Sequence, residues 1–153
     1  MIVGAGGIVR DAHVPAYRKA GFALAGVFDI RPEAREAAAR DYGIPRVFAS
    51  LDDAFATDGV IFDVAVPGVE IAGILERARP GQALLIQKPM GESLADAQRI
   101  LALCREKRLV AALNFQLRFA PNVLALRDAL ARGFFGALTD LEVRISLHTP
   151  WEL

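Results

Sequence analysis

The chain of 153 residues has one cysteine, Cys104, and two histidines, His13 and His148. A single cysteine excludes an internal disulfide and any cysteine-built metal site. No cysteine or acid stands at ligand spacing around His13, so we expect no metal site. Charge of one sign is also lacking: Lys+Arg and Asp+Glu are both 18, the formal net charge is zero and the pI is about 6.7. Nucleic-acid and anionic-membrane binders usually carry a basic excess, so neither partner is expected. No apolar run nears the roughly 20 residues of a membrane span. Met1 leads straight into a strand-like segment with no signal peptide, and a cytoplasmic protein is expected.

What is present is a core. Apolar residues make up 54% and charged residues 24%, which excludes disorder as the main state. Short apolar runs alternate with helical stretches. The strand candidates are Ile2–Val3, Ala23–Phe28, Val60–Val66, Ala83–Ile86 and Val110–Leu113, with Val47–Phe48 weaker. The central runs are apolar at successive positions, as suits strands covered on both faces. Between them, Pro32 opens a helix that Gly43 ends. Ser50 with Asp53, and Ser93 with Asp96, fit capping boxes. A helix over Leu94–Lys107 places Leu94, Ala97, Leu101 and Cys104 on one face, which makes Cys104 a core thiol. Pro121 opens a last helix that ends at Gly133.

The alternation predicts an α/β fold, a Rossmann doubly wound parallel sheet. After Gly136 the pattern changes, and Leu138–Leu147 alternates as a strand with one wet face. We therefore expect residues 1–120 to be a nucleotide-binding domain. Residues 121–153 then supply a linker helix and the first strand of a truncated C-terminal α/β domain. The opening strand is short before its glycine turn, so a piece of a longer protein is expected.

Gly4-Ala5-Gly6-Gly7-Ile8-Val9 follows the first strand and opens a helix. Gly4 permits a tight turn, and Gly6 lets the backbone approach a pyrophosphate. The amides of Gly7 and Ile8 then face the anion at a helix N-terminus. The third small residue of the fingerprint is replaced by Val9, so the helix is expected to sit further from the sheet. Asp29 lies where an acid would accept hydrogen bonds from the ribose of an adenosine. It favours NAD over NADP, although Arg31 could pair with a 2′-phosphate. Asp29 reads equally as a loop acid or a helix cap before Pro32. Methyltransferases that bind S-adenosylmethionine share the glycine turn and the acid.

Ala83-Leu84-Leu85-Ile86-Gln87-Lys88-Pro89 runs from a buried strand into a lysine and a proline. Ligands of open parallel sheets lie outside the carboxyl ends of the strands, which delivers Lys88 to the crevice wall. Pro89 restricts the backbone and permits a cis bond. A plain solvated lysine is the alternative.

This run resembles the Glu-Lys-Pro signature of the Gfo/Idh/MocA oxidoreductases. The resemblance extends through Phe28-Asp29, Asp63-Val64-Ala65-Val66-Pro67, the stretch Asn114 to Pro121, and Gly133-Phe134-Phe135-Gly136. It implies a two-domain dehydrogenase with NAD, or possible NADP, in its first domain. A sugar, inositol or related polyol would be the small-molecule substrate, and the full-length protein a homo-oligomer. It implies hydride transfer at a secondary alcohol or ketone, with Lys88 at the reacting oxygen. Asn114 would lie near the nicotinamide or substrate, and the Pro67 backbone would line the nicotinamide ribose. Arg118 would orient substrate, or equally form a structural ion pair; Pro67 reads equally as a strand terminator.

Two departures stand out. Gln87, itself a candidate cofactor contact, replaces the usual glutamate, which is expected to ease deprotonation of Lys88. The histidine that relatives often carry after Pro67 is absent. Phe115, Phe119, Phe134 and Phe135 are expected to pack a domain junction, leaving a sticky surface in a shortened chain. His148 lies near Trp151 in the tail, where its role is unreadable. A regulatory nucleotide-binding module and a methyltransferase stand as rival readings.

Overall fold

The structure, a computed structural model, describes residues 1–146. The chain divides into two compact units, Met1–Phe115 and Gln116–Leu153.

In the first unit five parallel strands form one sheet: β1 (Ile2–Val3), β2 (Val27–Phe28), β3 (Ile61–Val64), β4 (Ala83–Ile86) and β5 (Val110–Leu113). Their spatial order is β2-β1-β3-β4-β5. Val47 extends it by a parallel bridge to Val27 on the outer side of β2. The chain thus leaves β1 toward one edge, returns past it, and continues with β3 on its other side. That reversal is a topological switch point, outside which ligands of open α/β sheets lie at the carboxyl ends of the strands.

Alternate residues of a strand point opposite ways, and apolar clusters cover both faces around β1 to β3, whereas β5 is largely exposed. Val3, Phe62, Val64, Leu84 and Ile86 pack on one face with Phe55, Ile71, Leu75 and Ile100. Ile2, Val27 and Ala65 pack on the other with Val9, Val14 and Ile44. The helices responsible are α1 (Val14–Lys19), α2 (Pro32–Tyr42), α3 (Leu51–Phe55), α4 (Ile71–Arg77) and α5 (Leu94–Glu106). Gly43 ends α2 at φ +62°, as the sequence signals. Ser50 and Ser93 cap α3 and α5, accepting the amides of Asp53 and Asp96 at 3.1 and 3.2 Å.

Some expectations are corrected. The strand expected over Ala23–Phe28 is confined to Val27–Phe28, because β1 offers only two residues to pair with it. Val60–Val66 contracts to β3 for the same reason at one end of its ladder. The buried stripe of α5 is centred on Ile100, with Leu103 and Cys104 against the core. Leu94 and Leu101, expected on the buried face, are 75% and 42% exposed and lie off that stripe. Cys104 is half-buried, and burial pushes its thiol pKa up.

The second unit holds a short 3-10 turn, Gln116–Phe119, and α6 (Pro121–Ala131). No strand forms over 138–146. Leu138, Leu141, Val143 and Ile145 are exposed, and among the described residues no neighbouring strand offers the ladder that a strand needs. Leu147, His148 and Trp151 lie outside the described residues. Phe115 in the first unit, and Phe119, Phe134 and Phe135 in the second, are exposed.

Candidate functional site

Because every strand of the sheet is parallel, the segments that follow them gather along one edge. Gly4 follows β1, Asp29 follows β2, Pro67 follows β3, Lys88 follows β4 and Asn114 follows β5. The topology therefore brings the expected first-unit residues to a single rim. Arg118 lies in the second unit, exposed on the Gln116–Phe119 turn.

The bend after β1 is built by one obligatory glycine. Gly4 has φ +93°. A Cβ there would overlap the Ala65 carbonyl oxygen and lie 3.0 Å from Val66 Cγ1. Gly6 differs: a Cβ on it would meet nothing within 4 Å, so its open face is turned to space. The amides of Val9 and Arg10 donate to Gly6 O at 3.1 and 3.2 Å, which starts the helical turn. Gly7 and Ile8 are exposed on the bend.

Val9 takes the packing slot expected of a smaller residue and is fully buried beside Ile2 and Ala65. The chain then makes a π-helical turn over Val9–His13 before α1 begins. Pro15 lacks the N–H that would donate back into this turn, which accounts for the irregularity.

Asp29 is 6% exposed, and it ties the bend to the end of β2. Its Oδ2 accepts the Ala5 amide at 2.8 Å, and its Oδ1 accepts the Arg31 amide at 2.9 Å and Arg31 Nε at 3.2 Å. Burial alone would raise its pKa. The two amides and the guanidinium outweigh burial and hold the carboxyl below the usual range. A carboxylate offers about four acceptor positions, so Asp29 keeps room for a further donor. Arg31 is exposed beside it.

The rim on the other side is equally tight. The Lys88–Pro89 peptide is cis, and Lys88 is exposed. The Asn114 amide donates to Ile86 O at 2.8 Å and extends the β4–β5 ladder. Pro67 precedes a 3-10 turn, Gly68–Glu70. A Cβ on Gly68 would sit 3.2 Å from Gly91 C and O, so the segments after β3 and β4 are in close approach.

Gln87 does not stand where the sequence suggested. It is 7% exposed; its Oε1 accepts the Lys88 amide at 2.8 Å and its Nε2 lies 3.0 Å from His13 Nε2. Both ends of the Gln87 amide are thus engaged, one with His13 and the other with the Lys88 backbone. His13 is buried, with Nδ1 at 2.7 Å from Asp63 Oδ2, and Tyr17 Oη donates to the same oxygen at 2.9 Å. Burial, together with the Asp63 charge, pushes the Tyr17 pKa up. Sequence reading missed this cluster. Its one signal is an acid inside the apolar run Val60–Val66.

Comparison with known proteins decides what this rim belongs to. The model of the oxidoreductase family with NAD-binding Rossmann fold, Gfo/Idh/MocA, matches residues 1–115. The chain belongs to that family. It is 27% identical over 151 residues to 1,5-anhydro-D-fructose reductase of Ensifer adhaerens, covering 97% of this chain and 45% of that protein. It is 28% identical over 156 residues to inositol 2-dehydrogenase/D-chiro-inositol 3-dehydrogenase of Lacticaseibacillus casei, with 97% and 44% covered. A crystal structure of myo-inositol dehydrogenase from Lactobacillus casei in complex with NAD(H) and myo-inositol superposes with TM-score 0.78 at 25% identity, covering 89% of this chain and 42% of that one. The chain spans less than half the length of these relatives. Its first unit is the family's NAD-binding Rossmann domain, and the matches lend no support to a methyltransferase.

Proposed function

We propose that this chain is the cofactor-holding part of an oxidoreductase that moves hydride between NAD and a secondary alcohol or ketone. The substrate would be a sugar, an inositol or a related polyol, as the names of its relatives suggest. The observation that carries the reading is the bend at Gly4–Gly7: open space over Gly6, amides at a helix start, and Asp29 bonded to Ala5 beneath it.

The parts fit a dinucleotide. The Gly6–Ile8 backbone receives the diphosphate with no side chain between them. Asp29, already ionised by its amide partners, accepts from the adenosine ribose. Arg31 beside it supplies a cation for a 2′-phosphate, which keeps NADP possible. Pro67 and Asn114 flank the nicotinamide end of the rim. NAD, when bound, supplies the hydride acceptor. Lys88 stabilises charge on the reacting oxygen, or holds the proton passed there. Arg118 orients the substrate. Residues 121–153 are the beginning of the substrate domain. A cytoplasmic location and a homo-oligomeric full-length protein belong to the same proposal and fit the single cysteine and the exposed aromatics.

Titration of the chain with NADH, followed by the cofactor's fluorescence, tests the reading. Saturable binding to NADH, weaker binding to NADPH and none to S-adenosylmethionine is expected. No binding to either nicotinamide cofactor would overturn it.

A further inference from the structure

The mechanism above leaves a buried cluster unused: Asp63, His13, Tyr17 and Gln87. It lies under the rim rather than on it. Asp63 shares its sheet face with Ile2 and Ala65, and Gln87, four positions past Ala83 on the neighbouring strand's line, faces the same way. His13 and Tyr17 reach this face from the helix opposite.

Hydrogen-bond polarity fixes the state of the cluster. The Lys88 N–H can only donate, so the Gln87 atom 2.8 Å away must be its oxygen. The Gln87 NH₂ is therefore the group facing His13 Nε2 at 3.0 Å. That nitrogen must accept, so it carries no proton. The ring proton then sits on Nδ1 and is donated to Asp63 Oδ2 at 2.7 Å. Every link donates in one direction, from the backbone N–H of the lysine loop to the buried carboxylate. A doubly protonated ring would present N–H to the Gln87 amide. The amide would have to turn over and set NH₂ against the Lys88 N–H, donor against donor.

We propose that Asp63, His13 and Gln87 form a positioning relay: the carboxylate fixes the tautomer of His13, the ring fixes the orientation of the Gln87 amide, and the amide oxygen clamps the Lys88 backbone at the rim. Gln87 is then a positioning residue that acts through Lys88. The importance of the clamp to chemistry rests on the reading of Lys88 given above; the relay itself does not. Asp63 Oδ1 is buried without a hydrogen-bond partner among the described residues, so the cluster depends on the matched polarity of its remaining links.

The test is nitrogen-15 NMR of the chain, with amide exchange read at Lys88. The parent should show His13 with one protonated and one bare ring nitrogen, the proton on Nδ1. Gln87→Glu should protonate both nitrogens, because a carboxylate at 87 needs a donor at Nε2. Gln87→Met keeps the volume and removes the acceptor, and exchange of the Lys88 amide should rise about tenfold or more. A His13 proton on Nε2 in the parent, or an unchanged ring in Gln87→Glu, would overturn the relay. So would unchanged Lys88 exchange in a folded Gln87→Met. If Gln87→Met fails to fold, the two ring spectra decide. NADH titration of the same samples keeps the questions apart: expected ring spectra without NADH binding would sink the proposed function and leave the relay standing.

Discussion

Gly4→Ala and Gly6→Ala are the same chemical change two residues apart, and they should do opposite things. At Gly4 the backbone has φ +93° and the new methyl meets the Ala65 carbonyl and Val66 Cγ1. The left-handed backbone costs about 1–2 kcal/mol and the overpacking about 1–3 kcal/mol, so the loss of stability should be about 2–5 kcal/mol. At this chain length that lowers the melting temperature by roughly 4–20 °C. At Gly6 the methyl meets nothing within 4 Å, and stability should stay within about 1 kcal/mol of the parent. The methyl would instead stand where the diphosphate rests, and NADH affinity should fall about 10- to 100-fold. Thermal unfolding by circular dichroism and NADH titration read the two effects separately. A Gly4→Ala chain that melts like the parent would refute the close approach to Ala65. A Gly6→Ala chain with parental NADH affinity would refute the placement of the diphosphate.

Asp29→Asn removes an acceptor charged in the folded state and should destabilise the chain by about 1.5–3 kcal/mol at neutral pH, measured by urea unfolding. Because the folded carboxyl is held below its ordinary value, its stabilisation is full above the unfolded pKa of about 3.9 and fades as pH falls through the folded value; the variant should lack this acid-side loss. Lys88→Met, at an exposed position, should leave the unfolding midpoint nearly unchanged and lower hydride transfer by the full-length enzyme about 10²- to 10⁴-fold. Ile100→Ala should cost about 2–5 kcal/mol, while Leu94→Ala on the same helix should cost about 0.5 kcal/mol or less; equal losses would place the buried stripe of α5 wrongly.

The sequence carries information wherever the signal is local. Ala83–Ile86 and Val110–Leu113 are read with the bounds they have, the first lying between Gln82 and Gln87 and the second ending at Asn114. Ser50 and Ser93 announce their helices, because a cap is decided within four residues. The glycine bend and Asp29 are legible because their spacing follows from one βαβ unit. Legibility fails where partners are remote. The length of β2 depends on what β1 can offer. The expected strand after Gly136 depends on a neighbour that the described residues do not supply. His13 is 50 residues from Asp63 and 74 from Gln87, so nothing in the local pattern reveals that they meet or that Gln87 turns inward.

The close approach of Gly68 and Gly91 has an evolutionary corollary. A side chain at 68 would press on Gly91 C and O at 3.2 Å, so the segment after β4 would have to give way to it. Residue 68 and the segment after β4 are therefore expected to change together or not at all.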